Sequence, residues 1–136
     1  MLRFPRRPRR SDDTGAAAVE LALVLPLLLL ILFGIVDFGL MLNAQITVTS
    51  AAREGARAYV FTDDVDAAEA RVAQATDTLD GTVSADVTPC TGGQVTVVTT
   101  YDYSFITPLG AIAGIFGDGL DESVTLTGKG VMSCVS

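Results

Sequence analysis

The 136 residues contain no histidine, which removes Ser-His-Asp and Cys-His nucleophile systems and the usual zinc ligands in one step. No convergent acid–base pair stands out among the remaining polar residues, so we expect no enzyme, no cofactor, no metal and no small-molecule substrate. Positive charge is scarce beyond the first few residues. Five Arg (Arg3, Arg6, Arg7, Arg9, Arg10) precede Asp12 and Asp13, whereas the rest of the chain sets four basic residues against fourteen acidic ones. Phosphate binding draws its affinity from Lys and Arg, so an acidic body of this kind excludes nucleic acid as a partner. Cysteine occurs only twice, as Cys90 and Cys134.

What the chain does have is a long apolar run. From Ala16 to Leu42 only Glu20 and Asp37 interrupt it, and as a helix rising about 1.5 Å per residue it spans about 40 Å, enough for a hydrocarbon core of about 30 Å. The Arg cluster just before it places the amino terminus in the cytoplasm. A cleaved signal peptide normally has an apolar region of about 7–15 residues and an A-x-A-like exit. Here the run is longer and its nearest exit, Leu42-Asn43-Ala44, puts a bulky residue where a small one belongs, so the segment reads as a retained anchor. Pro26 is expected to kink it, and Gly34 and Gly39 permit close approach by another helix.

Residues 1–15 are polar, contain Pro and lack periodicity, and so read as a cytoplasmic leader; 16–42 form the membrane helix and 43–136 an exterior domain. Val48, Ala52, Gly55 and Tyr59 recur at helical spacing, which extends one helix from about Ala16 to Val60. Thr62-Asp63-Asp64 offers caps for a second helix with Val65, Ala68, Val72, Thr76 and Leu79 on its buried face, ended by Gly81. Its acids Asp63, Asp64, Asp66 and Glu69 lack the Gly of a calcium loop and fit helix spacing better. Arg53, Glu54 and Arg57 read as a solvated, locally paired helix face.

Strands follow. Val83, Ala85 and Val87 alternate with polar residues; Thr91-Gly92-Gly93 is a hairpin connection; Val95, Val97, Thr99, Tyr101, Tyr103 and Phe105 share one face of a longer strand. In the last strand Val124, Leu126, Met132 and Cys134 share a parity, turning Cys134 inward. An exterior location favours a Cys90–Cys134 disulfide, worth about 4 kcal/mol on the chain-entropy model. The Gly-rich apolar stretch 106–122 has two readings: a loop tucking Leu109, Ile112 and Phe116 into the core, or a docking surface for another subunit or the membrane.

One constellation remains, Gly15-Ala16-Ala17-Ala18-Val19-Glu20 leading into the apolar run. An ionised Glu at the start of a membrane helix costs free energy unless it is paired or reaches the interface. Two readings stay open. Glu20 sits at the headgroup boundary, favoured by the positive end of the helix dipole, or a cut after Gly15 creates an ammonium on Ala16 that pairs with Glu20 of a neighbouring subunit. Asp37 likewise lies near the outer interface or pairs within an assembly.

GAAAVE before an apolar helix resembles the prepilin processing motif, a Gly at the cleavage position with Glu fifth after it. The longer segment through NAQITVTSAAREGARA resembles the amino-terminal region of TadE-like proteins, minor pilins (pseudopilins) of the tight-adherence (Flp) pilus system. The resemblance covers about residues 14–60. It implies cleavage of the Gly15–Ala16 bond by a prepilin peptidase, retention of the helix, and a role in pilus assembly. Partners would be that peptidase and other pilin or Tad apparatus subunits, in the bacterial cytoplasmic membrane or at the cell surface. The expected architecture is α+β and pilin-like: a long amino-terminal transmembrane helix continuing into a small antiparallel sheet with one accessory helix. The alternative function is a membrane-tethered exterior binding domain that joins no pilus.

Overall fold

The computed structural model describes residues 12–107 and 123–134. Most of the expected leader, and the loop positions Leu109, Ile112 and Phe116, lie outside these described residues. Two helices and three strands follow one another: α1 (Asp12–Thr62), α2 (Val65–Ala75), β1 (Ser84–Thr91), β2 (Gln94–Ser104) and β3 (Ser123–Ser133). The α+β expectation holds, with a long apolar helix running into a small antiparallel sheet and a short accessory helix.

Helix α1 has 51 residues, about 76 Å at the ordinary rise, and Pro26 lies inside it without ending it. It stops where Asp63 enters the left-handed region (φ 51) and donates its N–H to the Tyr59 carbonyl at 2.7 Å. Asp tolerates that conformation better than most side chains. Asp64, in extended conformation, then caps α2 by accepting from the Asp66 N–H at 3.1 Å. The acids of 63–66 therefore serve as a helix stop and a helix start.

Helix α2 ends at Ala75, earlier than a stop at Gly81 would place it. The Thr76 hydroxyl donates to the Val72 carbonyl at 2.9 Å, a local bond that competes with continuing the helix. Thr76 is still buried, and Leu79 folds back from the following turn onto the core. Gly81, at φ +132, instead lies just ahead of β1, where a Cβ would stand 3.3 Å from the Tyr101 ring.

The sheet order is β1-β2-β3, antiparallel throughout. Thr91 pairs with Gln94, so Gly92 and Gly93 alone form the hairpin loop, both at positive φ (65 and 82), the conformation a two-residue type I′ turn demands. Along β2 the expected face is buried from Val95 through Tyr103. The two free margins differ from ideal templates: β1 carries Pro89 and an irregular register between Thr88 and Thr91, and the chain's single lysine, Lys129, stands exposed in the middle of β3.

The membrane-distal part of α1 lies across this sheet. Val48, Ala52, Gly55 and Tyr59 are buried as the spacing predicts, joined by Ala44, Ala51 and Ala56. On β3 the expected parity is right and Leu126 is buried as expected, but two of the other expected occupants are not. The buried positions are Leu126, Gly128 and Gly130, while Val124 and Met132 are 36% and 38% exposed. The helix covers only the middle of the strand, and it comes so close that a Cβ at Gly130 would stand 2.3 Å from the Ala52 carbonyl oxygen and one at Gly128 2.7 Å from that of Val48. Glycine is what permits the contact. The Thr99 hydroxyl, fully buried, donates to the Val48 carbonyl at 2.9 Å and locks helix to sheet. Gly55 does the same service toward α2, where a Cβ would meet Val72 at 2.6 Å.

Candidate functional site

Membrane-proximal and membrane-distal features sort along α1. Gly15, Ala16 and Glu20 all fall in the first turns of the helix, and all three are exposed. Ala16 and Glu20 are four residues apart and so share a face, one turn above the other. From Val19 to Leu42 the large apolar side chains stand bare: Leu23 is 76% exposed and Ile35 66%. The helix contains an 18-residue window of mean hydropathy 2.8, none of it buried against the rest of the chain, and this fits a single-pass membrane protein. A Cβ added at Gly34 or Gly39 would have no described atom within 4 Å, so both backbones are open to a neighbour.

Asp37 is the exception within this bare stretch. It is only 1% exposed. The Thr107 hydroxyl donates to its Oδ2, the Tyr103 hydroxyl points at its backbone carbonyl 3.5 Å away, and among the described residues Oδ1 has no partner. Beyond the two sequence readings of Asp37, at the outer interface or paired within an assembly, the structure gives it a partner in its own chain, seventy residues on. Nothing local in the sequence announces that contact. Burial pushes the Tyr103 phenol above its ordinary value, with the Asp37 and Tyr101 charges adding to it. Tyr103 also meets Phe105 edge to face at 5.8 Å between ring centres.

The opposite end of the sheet holds the cysteines. Cys90, next to the hairpin, and Cys134, just past β3, are joined with their Cα atoms 6.2 Å apart. The Cys134 N–H donates to the Gly93 carbonyl at 2.9 Å, so the bridge and a backbone bond close the same corner. Beside them burial pushes the Tyr59 phenol up, helped by its hydrogen bond to Asp63 and that carboxylate's charge.

The exposed face of α1 is paired otherwise than the spacing of Arg53, Glu54 and Arg57 indicated. Glu54 reaches Arg71 on α2 at 3.6 Å, and the Arg57 guanidinium sits 5.8 Å from the centre of the Phe61 ring. Both contacts are half in solvent and contribute little to stability. The i,i+4 stacking partner Phe61 offers a better surface to Arg57 than a shared carboxylate would.

Residues 15–57 match the family model of the TadE-like protein, in agreement with the resemblance drawn from the motif. That span takes in Gly15, Glu20, the bare apolar stretch, Asp37 and most of the part of α1 that packs on the sheet. Comparison with curated proteins and with solved structures found no match.

Proposed function

We propose that this chain, TadE-like over residues 15–57, acts as a minor pilin or pseudopilin in assembly of a Tad (Flp) pilus. The role is structural, not catalytic. A TadE-like region and one apolar helix long enough to cross a bilayer make it a membrane-associated component of such a system; the finer reading rests on how α1 is built. The observation that carries it is continuity: one unbroken helix whose first half is bare and apolar and whose second half is the spine of the folded domain. A subunit of that shape can be held in lipid by its bare half, or packed by it against other helices, without refolding.

In this reading the Arg-rich segment stays in the cytoplasm, the sheet lies outside, and a prepilin peptidase cuts between Gly15 and Ala16. The bond falls about one turn into α1, close to the helix end, where fraying costs least. Glycine at the cut adds freedom to leave the helical conformation. The ammonium created on Ala16 and the carboxylate of Glu20 then form complementary charges, and pairing them between neighbouring subunits removes the cost of holding either alone in lipid.

Amino-terminal sequencing of the protein from cells that contain the peptidase tests the cut: the mature chain begins at Ala16, and a chain still beginning at Met1 overturns the processing step. Glu20→Ala tests the pairing. Membrane insertion persists while association with the pilus apparatus is lost, and undiminished association removes Glu20 from the assembly.

A further inference from the structure

Resting on the single-pass reading above, we infer that the Ser104 end of β2, with Ile106 and Thr107, is a membrane-contact surface that sits at the non-cytoplasmic boundary of the phospholipid bilayer and screens Asp37 from it. The depth follows from helix geometry. Leu21 to Val36 is an uncharged run closed by Glu20 at one end and Asp37 at the other. At about 1.5 Å per residue Asp37 lies about 26 Å along the axis from Glu20 and Leu40 about 30 Å, against a hydrocarbon thickness of about 30 Å. With Glu20 at one boundary, the other falls between Asp37 and Leu40. Whatever packs beside that stretch of α1 shares its depth.

The residues that do so belong to the folded domain. Thr107 and Tyr103 meet Asp37 directly, and Ile106 lines a small cavity together with Leu40 and Asn43. Ile106 is 70% exposed, unfavourable against water and favourable against acyl chains. Phe105, partly exposed and packed edge to face on the buried Tyr103, is an aromatic side chain at the level where such side chains concentrate in membrane proteins. The surface adjoins the bare apolar stretch of α1 through Leu40, which is 39% exposed. A carboxylate at this depth is costly in contact with lipid; Tyr103 and Thr107 cover it, which accounts for an acid buried to 1% exposure within the bare stretch of α1. The domain is thus seated on the bilayer, and Asp37 is the point at which it is fastened.

The chain contains no tryptophan, so a single introduced indole reports one depth. The full chain is reconstituted in phosphatidylethanolamine–phosphatidylglycerol vesicles, with and without phospholipid brominated on the acyl chain near the headgroup. Ile106→Trp at this exposed position is expected to be clearly quenched by the brominated lipid, since an indole at the interface lies at the depth of the bromines. Phe61→Trp, on an equally exposed aromatic position about 62 Å along the axis from Glu20, is expected to lose none. Leu28→Trp, in the middle of the apolar run and read with phospholipid brominated near the end of the acyl chain, separates the two readings. If Leu28→Trp is quenched and Ile106→Trp is not, the membrane seat is wrong and the span stands; if neither is quenched, the span and the seat both fall.

Discussion

The two halves of α1 are the same helix with opposite rules of packing. Between Val19 and Leu42 most side chains are large, apolar and exposed; between Ala44 and Tyr59 the face turned to the sheet is buried and built mostly of small residues. Hydrophobicity alone would predict the reverse assignment of core and surface, because the bulkiest apolar residues of the protein are its barest. Size resolves the difference. The first half faces lipid or other helices, where long apolar side chains are at home. The second half must lie within backbone distance of β3, and that is possible only where the helix backbone at Val48 meets Gly128 and at Ala52 meets Gly130 on the strand. Burial in this protein therefore reports closeness of approach, and exposure reports the absence of a protein partner within the chain.

That contrast can be broken in three ways. Removing the bridge with Cys90→Ser and Cys134→Ser together acts only on the packed half. The closed loop has a sequence separation of 44, which on the chain-entropy model costs about 4 kcal/mol. Denaturant titration of the detergent-solubilised protein should show the sheet unfolding early while the helical signal of the bare half remains. Simultaneous loss of both would mean the halves are not independent in stability.

A smaller effect is expected from adding one methyl group. Gly130→Ala forces a Cβ against helix backbone that has no flexible end to yield, at a cost of about 3 kcal/mol. The same change at Gly34, in the bare half, meets open space and leaves domain stability within about 0.5 kcal/mol. Equal effects at the two sites would erase the distinction between them.

The smallest effect concerns pH. The Tyr59 phenol is raised above its ordinary 10.0, first by burial and then by Asp63, so the folded state holds its proton longer than the unfolded state does. Its contribution is fully present below pH 10.0 and is lost as pH rises through the folded value. Titration of stability with alkali should show a decline beyond that point that Tyr59→Phe makes shallower; an identical decline in the variant would assign it to other groups.

Much of this arrangement was legible in the sequence because it is periodic. The stripe Val48, Ala52, Gly55, Tyr59 announced the packed face of α1, and the alternation from Val95 to Tyr103 announced that of β2. Gly15 and Glu20 stand in a segment whose TadE-like resemblance was readable, and the family match over residues 15–57 agrees with that resemblance. What escaped notice depends on contacts between distant segments. Gly128 and Gly130, which set the helix–sheet distance, carry no hydrophobic signal, and apolar parity points instead to Val124 and Met132, which the helix does not reach. Periodicity overextends α2 because Thr76 and Leu79 keep the right spacing for burial while leaving the helix. Asp37 found its partner at Thr107, and no local pattern links residues seventy apart.

The margins of the sheet narrow how copies of this protein can meet. A strand added to β1 would run into the missing amide of Pro89 and its broken register, and one added to β3 would have to desolvate the ammonium of Lys129 at mid-length. Molecules crowded side by side in a plane are thereby kept from zipping into ribbons, and cohesion between them is left to their oily stems.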